Sequence, residues 1–490
     1  TLKAVRIIEQ SPVIAVPKTG ESRRVALSIA EQTIPHIHEK EVLSLHFPMT
    51  KDKCMIDTNR DEIAKQIIDI LKEGKDIAFL SGLFTEINKL PNSRAKKDLS
   101  EIACRMINSA PQRIDYPYNE PSDIGSIMLL SDFPEAEKIP DCNILRDKIR
   151  GAWLGRIIGC DLGKPLEGMH RKDMIPGLTA CGNYPIHRYV TSDDATDTFK
   201  PNLLATIDAI EKAEAAAVDD DTNYTAMATY LIDHYGRDFT PYELARLWVN
   251  VQIKEMYCTA EQVAFVNTLN GYRPPDTATR YNPYREWVGA QIRADYYGYI
   301  NPGNPGAAAE YAFRDASISH VKNGIYGSMF VASMISRAAV SSSTSDIVRT
   351  GLRCIPKTSR LYKAVSEVID GYENGINFSD WSARFNKEWN DEIQHHWCHV
   401  ISNACIVTAA VLYGKGDFSE SISLAVSEAF DTDCNGATVG SIIGMMCGAS
   451  AIPEKWYKPF HGKLRTSINT IGTVTIDELI EKTMTHIANK

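Results

Sequence analysis

Two stretches of this chain place a glycine at every fourth residue. In RGAWLGRIIGCDLGKP these are Gly151, Gly155, Gly159 and Gly163; in CNGATVGSIIGMMCGAS they are Gly436, Gly440, Gly444 and Gly448. A four-residue repeat lies along one face of an α-helix. Each glycine inside a helix costs about 1 kcal/mol relative to alanine, so two such rows call for a compensating contact. Close backbone approach to a neighbouring helix is that contact; the alternative is two locally weak helices. The pattern predicts two helices packed together at the centre of a helical domain. Such packing brings segment 151–167 to the end that carries Asp431.

At 490 residues the chain is too long for one ordinary core, and two or more domains are expected. Composition is globular, with 44% hydrophobic and 23% charged residues. A net charge of −9 argues against a general nucleic-acid or anionic-membrane surface. No apolar run is long enough for a membrane span, and TLKAVRIIEQ reads as an amphipathic helix, not a signal peptide. The eleven cysteines form no CxxC pair and fit reduced thiols in the cytoplasm.

Texture changes along the chain. VIAVP (13–17), EVLSLHFP (41–48) and DIAFLSG (76–82) read as strands, with helices between them, so residues 1–82 are expected to form a small parallel α/β unit. Residues 83–146 read as a helix followed by a proline-rich extended segment, NSAPQRIDYPYNEPSD, either a linker or a strap across the next domain. From Asp147 to the end almost no strand pattern is found, and one all-α domain over 147–490 is expected. Thr222 is read as opening a helix that stops at Gly236; Thr240-Pro-Tyr-Glu243 and Thr259-Ala-Glu-Gln262 read as capping boxes, and Asn304-Pro305 as a further helix start.

Two acidic clusters stand where helices begin: Asp219, Asp220 and Asp221 in VDDDTNYT, and Asp431 and Asp433 in FDTDCNGATVG. Two unit charges 4 Å apart repel by about 4 kcal/mol at an effective dielectric near 20. Helix capping accounts for either cluster taken alone. Positions i and i+2 do not face each other within a regular helix, so Asp431 and Asp433 converge only where the chain turns into one. Taken together, the clusters supply carboxylate oxygens from two distant segments, a donor set suited to Mg²⁺, Mn²⁺ or Ca²⁺. His395, His396 and His399 near Trp397 also resemble a metal cluster, although surface and packing roles are commoner.

DKIRGAWLGRIIGCDLGKPLEG, DDDTNYT, REWVGAQIRADYYGYINPGNP, ISHVKNGIYGSMF and DTDCNGATVGSIIG, in that order, resemble the ADP-ribosylglycohydrolase family over residues 147–490. The resemblance implies a mainly all-α, orthogonal helical domain with a centre of two Mg²⁺ or Mn²⁺ ions. It implies cleavage of the glycosidic bond between ADP-ribose and a protein side chain or small acceptor. Carried over, the family's Thr-Asp-Asp triplet falls on Asp219, Asp220 and Asp221, and its Asp-x-Asp-Thr/Ser run on Asp431, Asp433 and Cys434. Glu167 matches the family's glutamate, and it or an aspartate (Asp220 or Asp433) is the implied base. Alternatively Glu167 gates the pocket. Gly289, Gln291 and Arg293 look like the ribose and diphosphate loop; His320, with Asn323, Gly324 and Tyr326, looks like the central motif, a satisfied core histidine being the other reading of His320. Asp219 replaces a threonine, and Cys434 replaces a threonine or serine and removes a hard oxygen ligand. A substrate related to nucleosides, or a catalytically weak ADP-ribose binder, are the alternatives, and Cys434 favours the binder.

TLKAVRIIEQSPVIAVPKTGESRRVALSIAEQ, LHFPMTKDK and EIAKQIIDILKEGKDIAFLSG resemble the start of a precorrin-2 methyltransferase. That resemblance implies a truncated remnant lacking the glycine-rich cofactor turn, with Leu83-Phe84-Thr85 standing in place of the second cofactor loop. No methyltransferase activity is expected. An unpaired sheet edge needs a partner or cover, which admits a homo-oligomer through this segment.

Overall fold

The computed structural model describes residues 108–212 and 214–489, with residues 70–77 and a few positions between 87 and 106. The expected strands over 13–17 and 41–48, and most of the strand over 76–82, lie outside the described residues. The chain divides into two units, Thr1–Pro117 with Thr279–Tyr284, and Tyr118–Ala278 with Arg285–Lys490. In the first, the described Ile70, Ile77, Ile87, Leu99, Ala103 and Ala110 make a small apolar cluster, and Lys75 bridges Gln112 in antiparallel sense.

The second unit is helical. Among its described residues the strands are Lys463–Arg465 and Thr473–Thr475, an antiparallel ribbon in the register Lys463 to Thr475. Three-residue strands are too short for alternation to be read in the sequence. The helix Val400–Tyr413 is apolar on nearly every side and buried along its length, as a helix in the middle of a large core must be. Lys322–Ala338 is buried almost as completely.

Several helix starts follow the sequence. Thr240 and Glu243 form the expected capping box ahead of Pro241–Val251, and Asn304 caps Pro305–Ala316. Two starts differ. Asp219, not Thr222, caps Asp220–Tyr235, because its carboxylate accepts from the Asp221 amide; that helix stops at Gly236 as expected. Thr259 is already helical in Thr259–Leu269, behind Cys258. Its φ of 41° is left-handed, a conformation in which it makes no capping box.

The two glycine helices are Cys142–Gly163 and Thr432–Cys447. They run antiparallel, glycine against glycine. A Cβ built on Gly155 would lie 2.0 Å from the Gly440 carbonyl oxygen, and one on Gly440 would lie 2.1 Å from that of Gly155. Gly159 meets Gly436 and Gly151 meets Gly444 in the same way. The row ends with Gly163 against the Thr432 and Asp433 backbone, where Thr432 Oγ1 donates to the Gly163 carbonyl at 2.9 Å. No side chain separates the helices along this seam. Gly448 does two things, since it also ends its helix at a φ of 80°.

Residues 108–117 of the proline-rich segment belong to the first unit; from Tyr118 to about residue 140 the chain lies along the helical unit. Backbone hydrogen bonds hold it at Asn119–Thr358, Leu130–Lys357, Asp132–Arg353 and Glu137–Gly303. Glu120, within it, is buried against Arg360 and Asn323.

Adding one methyl group to the seam forces backbone apart. Gly155→Ala is expected to destabilise the protein by about 3 kcal/mol, the upper end of overpacking costs. Gly125→Ala, in the exposed helix Ile124–Leu130 with its nearest atom at 3.5 Å, is expected to change stability by less than about 1 kcal/mol. Urea midpoints of the two variants check the contrast.

Candidate metal centre

Three chain segments meet where the glycine seam ends. The first glycine helix stops at Gly163 and passes into a tight turn, Lys164–Leu166, with Glu167 next. The second begins at Asp431. The third is the start of Asp220–Tyr235. One guanidinium pins all three: Arg156 is fully buried on the first glycine helix. Its Nε donates to the Asp221 carbonyl at 3.0 Å, one terminal nitrogen donates to Asp221 Oδ1 at 2.6 Å, and the other to Thr438 Oγ1 at 3.0 Å. Asp295 lies 3.5 Å from the same group.

The turn into the second glycine helix is strained. Ala429 and Phe430, neither of them glycine, take φ of 59° and 56°. Consecutive left-handed residues of this kind persist only where the surroundings hold them; here Phe430 is fully buried and packs on Phe385. The turn solves the i, i+2 problem. One oxygen each from Glu167, Asp431 and Asp433 lies within 4.8 Å of the others. Asp431 makes no capping bond with its side chain, so capping does not account for it. For Asp219 it does: one oxygen accepts from the Asp221 amide at 2.9 Å.

Two further groups share these residues: Asp221, Asp433 and Cys434, and Cys160, Asp219 and Asp221, each with ligand atoms within 4.8 Å. Asp433 is common to two of the three. Asp220 belongs to none of them; it is half-buried on the same turn as Asp219 and Asp221.

The acids suppress one another. Asp433, and then burial, push Glu167 up to about 9. Burial first, then Asp433 and Glu167, raise Asp431 well above the usual carboxylate range. Asp220 and Asp221 rise too, burial being the main cause, although Arg156 opposes it at Asp221. Such a site is short of positive charge. Asp221 Oδ2 is buried with no hydrogen-bond partner. An orphaned buried carboxylate oxygen beside converging carboxylates fits a hard divalent cation, for which oxygen donors are the preferred ligands. Cys434 fits it poorly, because burial pushes its thiol far up and keeps it neutral.

Two cationic side chains that the sequence reading did not single out also stand here. Lys164 donates to Asp219 Oδ2, and its ammonium lies 3.6 Å from both Asp433 and Glu167. Its signal was available: a lysine three residues before Glu167, held between Gly163 and Pro165. Arg156 was legible only as a charge inside a glycine-rich apolar helix. Asp161, also buried, has an unpartnered Oδ2 and is driven toward its neutral form by burial and then by Asp219.

The expected ribose and diphosphate residues are buried in the same unit, and the carbonyl of Ile292 among them accepts from Arg156. Gly289, Gln291 and Arg293 lie on the short helix Val288–Arg293. Arg293 is saturated inside the protein: it pairs with Glu261 and Asp315 and donates to Ser319 at 2.8 Å. Gly289 packs against the Glu261 carboxylate. Both amide atoms of Gln291, and His320 Nε2, are buried without partners. His320 Nδ1 is 2.8 Å from Ser319 Oγ. Asn323 bonds Glu120, Glu286 and the Leu361 amide; Tyr326 donates to the Pro121 carbonyl; Gly324 sits under the Arg285 carbonyl. His396 and His399 accept backbone amides of Asn390 and Ile401, and among the described residues no histidine joins the three candidate groups.

The unit is mainly helical, with a converging acidic centre at the end of a glycine seam. The ADP-ribosylglycohydrolase family model matches residues 141–488, and the chain belongs to that family. Membership supports a glycohydrolase of ADP-ribosyl-type substrates. A solved structure described as an ADP-ribosylglycohydrolase-related protein complex is similar at 18% identity and a TM-score of 0.45, covering 71% of this chain and 99% of its own. No curated protein matches. Among the described residues no helix is long and apolar enough to cross a membrane.

Removing the pin leaves Asp221 and Asp295 buried without their counter-charge. Arg156→Met is expected to cost about 3–5 kcal/mol, read as a lower urea midpoint at unchanged slope. An unchanged midpoint contradicts the role given to Arg156.

Proposed function

We propose that the chain is a divalent-cation-dependent hydrolase that releases ADP-ribose, or a related ribosyl group, from an N- or O-glycoside. The observation that carries this is the convergence of Glu167, Asp431 and Asp433 within 4.8 Å, beside the unpartnered Asp221 oxygen. Asp221, Asp431 and Asp433 are the residues that would hold Mg²⁺ or Mn²⁺, with Asp220 completing the donor set from the partly open side. The chemistry such an ion supplies is positive charge at the ribose hydroxyls and activation of water at neutral pH.

The protein's own groups do the rest. Glu167 keeps 39% of its side chain exposed, which places a carboxylate at the mouth of the cluster where water and substrate arrive. The ribose C1–acceptor bond breaks through an oxocarbenium-like transition state, water adds at C1, and the departing acceptor takes a proton. In this reading a cation beside Asp433 would offset the charge that holds Glu167 up, and the ionised Glu167 would accept the proton of the attacking water. Arg156 keeps Asp221 in place from the far side and touches no substrate.

The test is release of ADP-ribose or ribose from a panel of arginine-, serine- and nucleobase-linked substrates, with and without chelator. Chelation, Asp220→Ala and Asp431→Ala are each expected to lower the rate on the order of 10²-fold or more. Unchanged rates in both variants on every substrate contradict the metal-centred mechanism. Tight ADP-ribose binding without turnover supports the binder that Cys434 favours.

A further inference from the structure

The ammonium of Lys164 occupies a place in the acidic cluster that a metal ion would otherwise contest. Its position is dictated by the backbone. Gly163 is pressed so closely on the second glycine helix that a Cβ there would lie 2.3 Å from Thr432 and 2.4 Å from the Asp433 amide nitrogen. The next residue therefore starts at the mouth of the cluster, and Pro165 holds the turn. Lys164 has 22% of its side chain exposed, while Asp219 and Asp433, two of the acids it faces, have 1% and 4%.

We propose that Lys164 is a built-in cation that takes one of two cation positions, so that the centre holds a single divalent ion, between Asp431, Asp433 and Asp221. The inference rests on the metal-dependent reading above. Three observations carry it. First, Lys164 Nζ is hydrogen-bonded to Asp219 and is 3.6 Å from both Asp433 and Glu167; a second divalent ion bound through Asp219 would stand directly beside the ammonium and be repelled. Second, both Asp219 oxygens already accept a hydrogen bond, one from Lys164 and the other from the Asp221 amide, so the charge of that carboxylate is already answered by the ammonium. Third, each of the other two groups that could take a second ion includes a cysteine, Cys160 or Cys434, which offers sulfur where a hard ion prefers oxygen. Asp219 and Lys164 form a neutral pair and add no net charge to the cluster. Against them stands the orphaned Asp221 Oδ2, which still calls for one cation.

The test is metal stoichiometry, not turnover. The full chain is stripped with chelator, reloaded with Mn²⁺, and analysed by elemental mass spectrometry and electron paramagnetic resonance. The expected result is about one Mn²⁺ per chain with the six-line signal of an isolated ion. Lys164→Met, or Lys164→Gln should that variant not fold, is expected to take up about two, with a spin-coupled spectrum. Lys164→Arg keeps the charge and is expected to stay at about one. Two coupled ions in the unaltered protein overturn the proposal whatever the variants do. One ion in both the unaltered protein and Lys164→Met overturns it while leaving the metal-dependent reading standing. No bound ion in the unaltered protein overturns both.

Discussion

The contact between the two glycine helices is the constraint on which the rest of the structure depends. Because no side chain stands between them, their backbones meet carbonyl to Cα from Gly151 to Gly163. The intrinsic cost of glycine in a helix is offset by this contact and by the buried groups that close over it. Trp153 donates to Thr483, and the Tyr299 hydroxyl reaches Ala152 on one helix and Ser441 on the other. The seam also acts as a ruler. It delivers Lys164 and Glu167 from one helix, and Asp431 and Asp433 from the other, into one small volume.

That volume is electrostatically expensive. Glu167, Asp220, Asp221 and Asp431 all sit above the ordinary carboxylate range, through burial and mutual repulsion. The chain answers with two fixed cations. Arg156, at the bottom, bonds Asp221 and Thr438 and ties the three segments together. Lys164, at the mouth, neutralises Asp219. Backbone strain at Ala429 and Phe430 belongs to the same arrangement, since strain of this kind is retained where it aims functional groups.

Much of the fold was legible. The four-residue glycine spacing predicted the central helix pair because close backbone approach offsets the cost of so many helical glycines. Thr240 and Asn304 marked helix starts through local hydrogen bonding. Thr222 and Thr259 misled for different local reasons: Asp219 already serves as the cap ahead of Thr222, and Thr259 is itself helical with a left-handed φ behind Cys258, which makes no side-chain cap. In the site, the acids announced themselves by type and clustering. Lys164 did not, because a lysine beside a glycine–proline turn ordinarily points into water, and its inward aim follows from how closely Gly163 is packed on Thr432. Arg293 and Asn323 look like ligand-binding residues in the sequence. Their partners Glu261, Asp315, Glu120 and Glu286 are distant along the chain, so their internal saturation could not be read from it.

The central claim is that the end of the glycine seam is a cation site made by Asp221, Asp431 and Asp433. A crystal of the protein grown with Mn²⁺ and measured at the manganese absorption edge tests it directly. The account predicts an anomalous peak among those three carboxylates. A fully ordered cluster with no peak there, or a peak only at another part of the molecule, would contradict it.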